Sequence, residues 1–128
     1  MLALVIDDSR AMRLILRRII APLGFEVWEA ADGKQALDLL ASSAEVPTFA
    51  LVDWNMPVMN GLDFVVAARA DQRLRSMTLM MVTTESELGQ IVRALAAGAH
   101  EYLIKPFTPD AIEEKLALLG LVPIGATA

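Results

Sequence analysis

The chain contains no cysteine among its 128 residues, so disulfide bonds and thiolate metal sites are excluded. A reducing compartment suits such a chain, and we expect it to be cytoplasmic. Basic residues are also scarce, because 11 Lys and Arg stand against 16 Asp and Glu and give a formal net charge of −5. Proteins that neutralise nucleic-acid phosphates have the opposite balance, and we expect no direct nucleic-acid partner.

Long hydrophobic runs are missing as well. The N-terminal run MLALVI is short and has no basic segment before it, and the apolar C-terminal segment is interrupted by Gly120, Pro123 and Gly125. Neither can serve as a signal peptide or span a membrane, so we expect a soluble protein without a membrane partner. The length is sufficient for one domain with its own core. We predict that this domain covers residues 1–120 and that residues 121–128 form a C-terminal tail or start a linker.

The sequence does contain an alternation of short apolar runs and longer segments of helical period. The apolar runs predict β-strands at residues 2–7, 25–30, 48–53, 77–83 and 100–104. Helices are predicted at about residues 10–22, 62–71 and 86–97, the first with Ser9 as its capping residue. Two more helices are predicted after the capping signals Asp32 with Gln35 and Thr108 before Pro109. Five βα units are too few to close a barrel, so an open, doubly wound parallel sheet of the α/β class is predicted, with helices on both faces.

Polar residues follow the ends of these predicted strands. Asp7 and Asp8 end the first strand and Asp53 ends the third. Thr83 ends the fourth strand, and Lys105 follows the fifth. The carboxyl ends of parallel strands share one edge of the sheet, where ligands of such folds bind. We therefore expect these residues to lie along one edge.

Four motifs are specific in combination. They are VIDDS at the first strand, DWNMPVMNG from Asp53 to Gly61, VTTE from Val82 to Glu85, and YLIKPF from Tyr102 to Phe107. Together they resemble the receiver domain of two-component response regulators, with most similarity to the single-domain chemotaxis type. The resemblance extends from residue 2 to about residue 119 and implies a flavodoxin-like sheet with strand order 2-1-3-4-5.

The implied strand order places Asp53 beside Asp7 and Asp8 on one side and beside Thr83 on the other. Crowded carboxylates raise one another's pKa unless a cation lies between them. Ligands that are all oxygens favour a hard ion such as Mg²⁺. The resemblance adds the main-chain carbonyl of Asn55, so the predicted cofactor is Mg²⁺ bound by Asp7, Asp8, Asp53 and Asn55.

The resemblance further implies that Asp53 accepts a phosphoryl group from a phosphohistidine of a histidine kinase or histidine phosphotransfer protein. Lys105 would neutralise charge on the transferring group, and the Thr83 hydroxyl would bind a phosphate oxygen. Tyr102 would then exchange an outward rotamer for an inward one and change the surface of helix four, strand five and helix five, where a downstream protein binds. Such a chain catalyses only its own phosphorylation and dephosphorylation, so we do not expect an enzyme.

The surroundings of the site carry two further expectations. The resemblance implies that the Lys105–Pro106 peptide bond is cis. Thr84 departs from the family, which usually has Ala or Gly at the position after the switch threonine, and this departure predicts a narrower phosphate pocket.

Arginines lie along the first predicted helix, which contains no acidic residue. Arg10, Arg13 and Arg17 have helical spacing, and Arg18 lies nearby. This pattern is typical of a solvated face, whereas the resemblance implies that the phosphodonor protein docks on this helix, and both interpretations stay open. The single histidine, His100, could indicate a phosphohistidine, but a polar residue at the entrance of a strand is more often structural, and we assign it no chemical role.

Two other functions are compatible with parts of the sequence. A Mg²⁺-dependent phosphatase of the haloacid-dehalogenase type also uses an aspartate nucleophile, but its signature is DxD after the first strand, whereas Asp7 and Asp8 are adjacent. A flavodoxin-like cofactor binder is compatible with the fold alone, but no glycine-rich phosphate loop follows the first strand.

Overall fold

Five short parallel strands form the centre of the computed structural model, which describes residues 1–123. In chain order they are β1 (Leu2–Ile6), β2 (Glu26–Ala30), β3 (Phe49–Val52), β4 (Thr78–Thr83) and β5 (Glu101–Ile104). Their order across the sheet is β2-β1-β3-β4-β5, and every neighbouring pair is parallel. The predicted fold class and the implied strand order are both confirmed.

Helices cover both faces of this sheet. They are α1 (Arg10–Ile20), α2 (Gly33–Ala41), α3 (Gly61–Ala70), α4 (Leu88–Ala97) and α5 (Pro109–Leu118), with short 3-10 helices at Ala21–Leu23 and Gln72–Leu74. Leu16 of α1 and Ile112 of α5 share one core cluster with Val5 of β1. The cluster on the other face includes buried residues of α2, α3 and α4. The result is a sandwich of three layers with α1 and α5 on one side.

The burial of each strand follows from its place in the sheet. Every residue of β1 and of β3 is buried, since both strands have neighbours on each side and helices on each face. Their sequences, LALVI and FALV, are accordingly apolar throughout. The edge strand β2 is different, because Glu26 and Glu29 are exposed while Val27 and Ala30 are buried. The edge therefore presents acidic side chains next to helix α1.

Capping side chains begin the helices at the predicted positions. The Ser9 hydroxyl accepts a hydrogen bond from Met12 N at 3.2 Å, and Thr108 Oγ1 accepts one from Ala111 N at 3.2 Å. Asp32 accepts one from Gln35 N at 2.8 Å, as predicted for a capping box. The Gln35 side chain binds Ala31 N rather than Asp32 N, so the second half of this box is displaced by one residue.

Element boundaries differ from the prediction at several ends. Strands β1 and β3 each end one residue before the aspartate that follows them, and α1 ends in a 3-10 turn. Helix α4 begins at Leu88, two residues after the predicted start at Ser86. Just before this helix, Thr83 Oγ1 accepts a hydrogen bond from Glu85 N at 3.3 Å.

The C-terminal end of the described chain packs on the core. Val122 is 8% exposed and belongs to the cluster beneath α1 and α5, two residues beyond the predicted domain boundary. Residues 124–128 of the predicted tail lie outside the described residues. Within residues 1–123, no helix has the length and apolar character needed to cross a membrane.

Candidate functional site

Three carboxyl groups meet at the carboxyl edge of the sheet. One oxygen from each of Asp7, Asp8 and Asp53 lies within 4.8 Å of the other two. The register of β1 and β3 explains the proximity, because Ile6 pairs with Val52 and an aspartate follows each of them. Asp7 and Asp53 are buried and Asp8 is exposed, so the cluster opens to solvent on one side.

Asp53 is held closely by the loop that follows it. Its Oδ1 accepts a hydrogen bond from Trp54 N at 2.8 Å, and the Gly61 N–H donates to Trp54 O at 2.9 Å. A Cβ atom at Gly61 would lie 2.0 Å from the Asp53 carbonyl oxygen. Only glycine fits at this position, and the start of α3 can therefore pack directly against the residue that carries the central carboxylate.

Electrostatics in the cluster oppose ionisation of Asp53. Burial raises its pKa above the ordinary value, while a hydrogen bond from Thr83 and the charge of Lys105 lower it. The charge of Asp7 raises the pKa again, the Trp54 N–H lowers it, and the net shift is upward. A cation in the cluster would favour the ionised form.

Lys105 contacts two of the three acids. Its Nζ lies 2.7 Å from Asp7 Oδ2 and 3.6 Å from Asp53 Oδ2, and its side chain is 12% exposed. The residue lies at the end of β5, and its N–H donates to Thr83 O at 2.9 Å. The following peptide bond to Pro106 is cis, as the resemblance implies. One ammonium group therefore lies against two of the three carboxyl groups.

A chain of contacts leads from the cluster to β5. Thr83, which is fully buried, accepts the hydrogen bond from Glu85 N, and the Tyr102 hydroxyl donates to Glu85 O at 2.7 Å. Burial, with the charges of Glu85 and Asp53, raises the pKa of Tyr102 to about 12. Tyr102 is 8% exposed, so its inward orientation is already present in this structure.

Other residues predicted from the sequence lie around or away from the cluster. Asn55 and Thr84 are exposed and follow Asp53 and Thr83, respectively, and their assigned roles stay predictions. His100 lies at the opposite end of β5, where its Nδ1 accepts a hydrogen bond from Leu79 N at 3.1 Å. This contact fits the structural interpretation of the histidine.

The α1 arginines are not equivalent. Arg10 is exposed, whereas Arg13 and Arg17 both form ion pairs with Glu29 of β2. Arg13 also donates from Nη1 to the main-chain oxygen of Asp7 at 2.7 Å. The role of Glu29 was not predicted from the sequence, although an acidic residue on an amphipathic strand after a basic helix is a signal that could have indicated the pairing.

Comparisons with known proteins give a consistent result. Residues 3–117 match the family model described as response regulator receiver domain. The chain is 43% identical over 117 residues to the chemotaxis protein CheY1 of Helicobacter pylori, covering 91% of this chain and 94% of that protein. The structure of the chemotaxis response regulator CheY4 of Vibrio cholerae aligns with a TM-score of 0.84 and 32% identity, covering 92% of this chain and 97% of that chain. The response regulator TrrA of Thermotoga maritima, solved in complex with Mg²⁺ and beryllofluoride, aligns with a TM-score of 0.79 and 26% identity over 92% of this chain and 97% of that chain.

Proposed function

The chain belongs to the response regulator receiver family, and we propose that it is a phosphorylation-controlled signalling switch with Asp53 as the phosphoryl acceptor. The donor is the phosphohistidine of a histidine kinase or histidine phosphotransfer protein. The observation that carries the proposal is the carboxyl cluster of Asp7, Asp8 and Asp53 in contact with the Lys105 ammonium. In this role the chain catalyses only its own phosphorylation and dephosphorylation.

Mg²⁺ fits the cluster, because the donor atoms are carboxylate oxygens and the Lys105 ammonium contacts only two of the three acids. Hard oxygen donors and partial coordination by carboxylates are typical of Mg²⁺ sites that also bind phosphate. Asp7, Asp8, Asp53 and the main-chain carbonyl of Asn55 would hold the ion. When bound, it neutralises charge on the transferring phosphoryl group.

In the transfer step, a carboxylate oxygen of Asp53 attacks phosphorus while the bond from phosphorus to the histidine nitrogen breaks. The nitrogen leaves with the bonding electron pair, and the product is an aspartyl phosphate. Lys105 already contacts Asp53 and can follow a phosphate oxygen on its flexible stem. The Thr83 hydroxyl, which lies close enough to Asp53 to lower the pKa of its carboxyl group, can donate a hydrogen bond to another phosphate oxygen.

The switch proceeds through the contacts between Thr83 and Tyr102. When the Thr83 hydroxyl turns toward phosphate, the Glu85 N–H loses its partner and the loop before α4 moves. The Tyr102 hydroxyl bonds the carbonyl of Glu85, so this movement reaches β5. The surface formed by α4, β5 and α5 then changes, and a downstream protein binds there.

The phosphodonor protein docks on the outward face of α1, beside the acid cluster. Leu14 and Ile15 are 45% and 47% exposed, and Arg10 is exposed at the start of the helix. Arg13 and Arg17 are occupied by Glu29, so the docking charge of the predicted arginines comes from Arg10.

Replacing the acceptor tests the proposed function. Asp53→Asn should abolish labelling by acetyl phosphate with Mg²⁺, because an amide of nearly the same shape is not a nucleophile. Intact-mass spectrometry measures the label, and circular dichroism checks the fold. The matched control is Asp38→Asn, an exposed carboxylate on α2 that should leave labelling unchanged. Full labelling of the Asp53 variant would exclude Asp53 as the acceptor, and sustained turnover of a phosphoester by the wild type would indicate a phosphatase.

A further inference from the structure

Arg13 bridges the edge strand and the acid cluster. Its Nε lies 3.1 Å from Glu29 Oε1 on β2, and its Nη1 donates to the main-chain oxygen of Asp7 at 2.7 Å. The side chain is 17% exposed, compared with 40% for Arg17. One guanidinium group therefore uses two of its donors to connect β2 with the end of β1.

The Asp7 carbonyl belongs to the peptide unit that joins the two adjacent acids. A peptide unit is planar, so the direction of its carbonyl also fixes the direction in which the chain enters Asp8. The Asp7 carboxylate is held separately, by Ser9 N at 2.8 Å and by Lys105 Nζ at 2.7 Å. The contact from Arg13 thus orients the peptide unit between Asp7 and Asp8, which these bonds to the carboxylate do not hold.

Glu29 keeps the arginine in place. Its carboxylate also accepts bonds from Arg17 Nε at 2.9 Å and Arg17 Nη2 at 2.6 Å. Burial alone would raise the pKa of Glu29, but the hydrogen bonds and charges of Arg17 and Arg13 outweigh it and lower the pKa. An ionised Glu29 gives Arg13 a fixed anchor at neutral pH.

We propose that Arg13, anchored by Glu29, is a positioning residue that fixes the peptide plane between Asp7 and Asp8 and thereby strengthens Mg²⁺ binding by the cluster. The inference rests on the proposed function, since it assumes that the cluster binds Mg²⁺. It concerns a contact within the molecule, whereas the helical spacing of Arg13 in the sequence is compatible only with a solvated face or a docking surface.

The direction in which Mg²⁺ affinity changes when Arg13 is replaced distinguishes a positioning role from a purely electrostatic one. Removing a positive charge near a cation site strengthens cation binding if charge alone matters. Loss of positioning weakens it. Arg13→Gln removes both the charge and the contact, while Arg13→Lys keeps the charge and removes the two-pronged contact. Arg17→Gln is the matched control, because Arg17 binds the same glutamate and has no contact with Asp7.

The experiment is a Mg²⁺ titration of the full chain followed by amide NMR. We expect the dissociation constant to rise about 10-fold in Arg13→Gln and in Arg13→Lys, as for other groups that orient metal ligands, and to change by less than about twofold in Arg17→Gln. Before any metal is added, the amide signals of Asp8 and Ser9 should shift in both Arg13 variants and not in Arg17→Gln. Arg13→Lys carries the test alone should Arg13→Gln not fold.

The two proposals fail in different ways. A wild-type chain that binds Mg²⁺ while the Arg13 variants bind it equally well or more tightly would overturn the positioning role and leave the proposed function intact. A wild-type chain that binds no Mg²⁺ would overturn the proposed function, and the positioning role with it.

Discussion

Among single residues, Val58 has an unfavourable backbone. Its φ is 67°, in the left-handed region, and its side chain is 78% exposed in the loop between Asp53 and Gly61. A residue with a Cβ atom costs about 1–2 kcal/mol in this region, and a β-branched one is rare there. An exposed side chain gains little packing to offset that cost.

A residue that tolerates the left-handed backbone conformation of Val58 should stabilise the folded chain. Val58→Asn should raise the free energy of unfolding by about 1 kcal/mol, because asparagine tolerates the left-handed region. Urea denaturation measures the change. The control is Val66→Asn, since Val66 is an exposed valine within α3 and the two residues have similar helix propensity. Equal changes in the two variants would contradict the role of the backbone angle.

The residues of the acid cluster could be located from the sequence, but their neighbours could not. Asp7, Asp53 and Lys105 each follow an apolar strand, and parallel strands bring their ends to one edge. Arg13 and Glu29 are 16 residues apart and lie on a helix and a strand. Their contact depends on how α1 is rotated against β2, and periodicity alone does not define that rotation.

Between elements, Arg69 and His100 clamp the amino end of the sheet. Arg69 of α3 donates to Gly98 O at 3.0 Å and to Met77 O at 2.8 Å. The Nδ1 of His100 accepts the Leu79 N–H, so the neutral ring must carry its proton on Nε2. Protonation of Nδ1 would remove this acceptor and place a second positive charge beside Arg69, 3.3 Å away.

The clamp predicts a pH dependence of stability. Burial, and then the charge of Arg69, lower the pKa of His100 from 6.5. The unfolded chain therefore binds more protons, and this contribution to stability is complete above pH 6.5 and is lost as the pH falls through the folded-state pKa. His100→Gln can still accept the Leu79 N–H but does not titrate.

We expect the urea midpoint of the wild type to fall more steeply than that of His100→Gln between about pH 7.5 and pH 5. The other ionisable groups are common to both proteins, so the difference between the two curves isolates the histidine. Identical slopes would show that the ring titrates as freely in the folded chain as in the unfolded one.

Element boundaries were predictable where a cap defines them and less so where tertiary contacts do. Helices α1, α2 and α5 begin directly after the capping residues Ser9, Asp32 and Thr108. Helix α4 begins after Glu87, whose side chain makes no capping bond. The loop before it is held by the contacts of Glu85 with Thr83 and Tyr102, which join residues from two strands.

For the whole molecule, alternation along the sequence predicts a parallel sheet but not the order of its strands. Several orders satisfy right-handed crossovers, and the order 2-1-3-4-5 followed from the resemblance. This order places β1 and β3 side by side, and only then do Asp7 and Asp53 become neighbours. The acid cluster therefore forms only because the strand order of the whole sheet makes β1 and β3 neighbours.

Mg²⁺ should stabilise the entire fold. An ion that binds only the folded state adds about 2.7 kcal/mol to the free energy of unfolding at about 100 times its dissociation constant. Urea denaturation followed by tryptophan emission measures this gain. Asp8→Asn should reduce it at the same Mg²⁺ concentration, and Asp38→Asn should not. A gain of equal size in Asp8→Asn and the wild type would show that the ion stabilises the chain elsewhere.

The charge of the carboxyl cluster of Asp7, Asp8 and Asp53 also affects how a phosphodonor approaches the site. A phosphodonor carries negative charge, so its approach is slowed while the acids are only partly neutralised by one ammonium group. A divalent cation bound among the acidic residues would reduce this repulsion. Without the cation, the negatively charged donor would approach a negatively charged site. On the proposed function, a bound cation would therefore favour the approach of the donor.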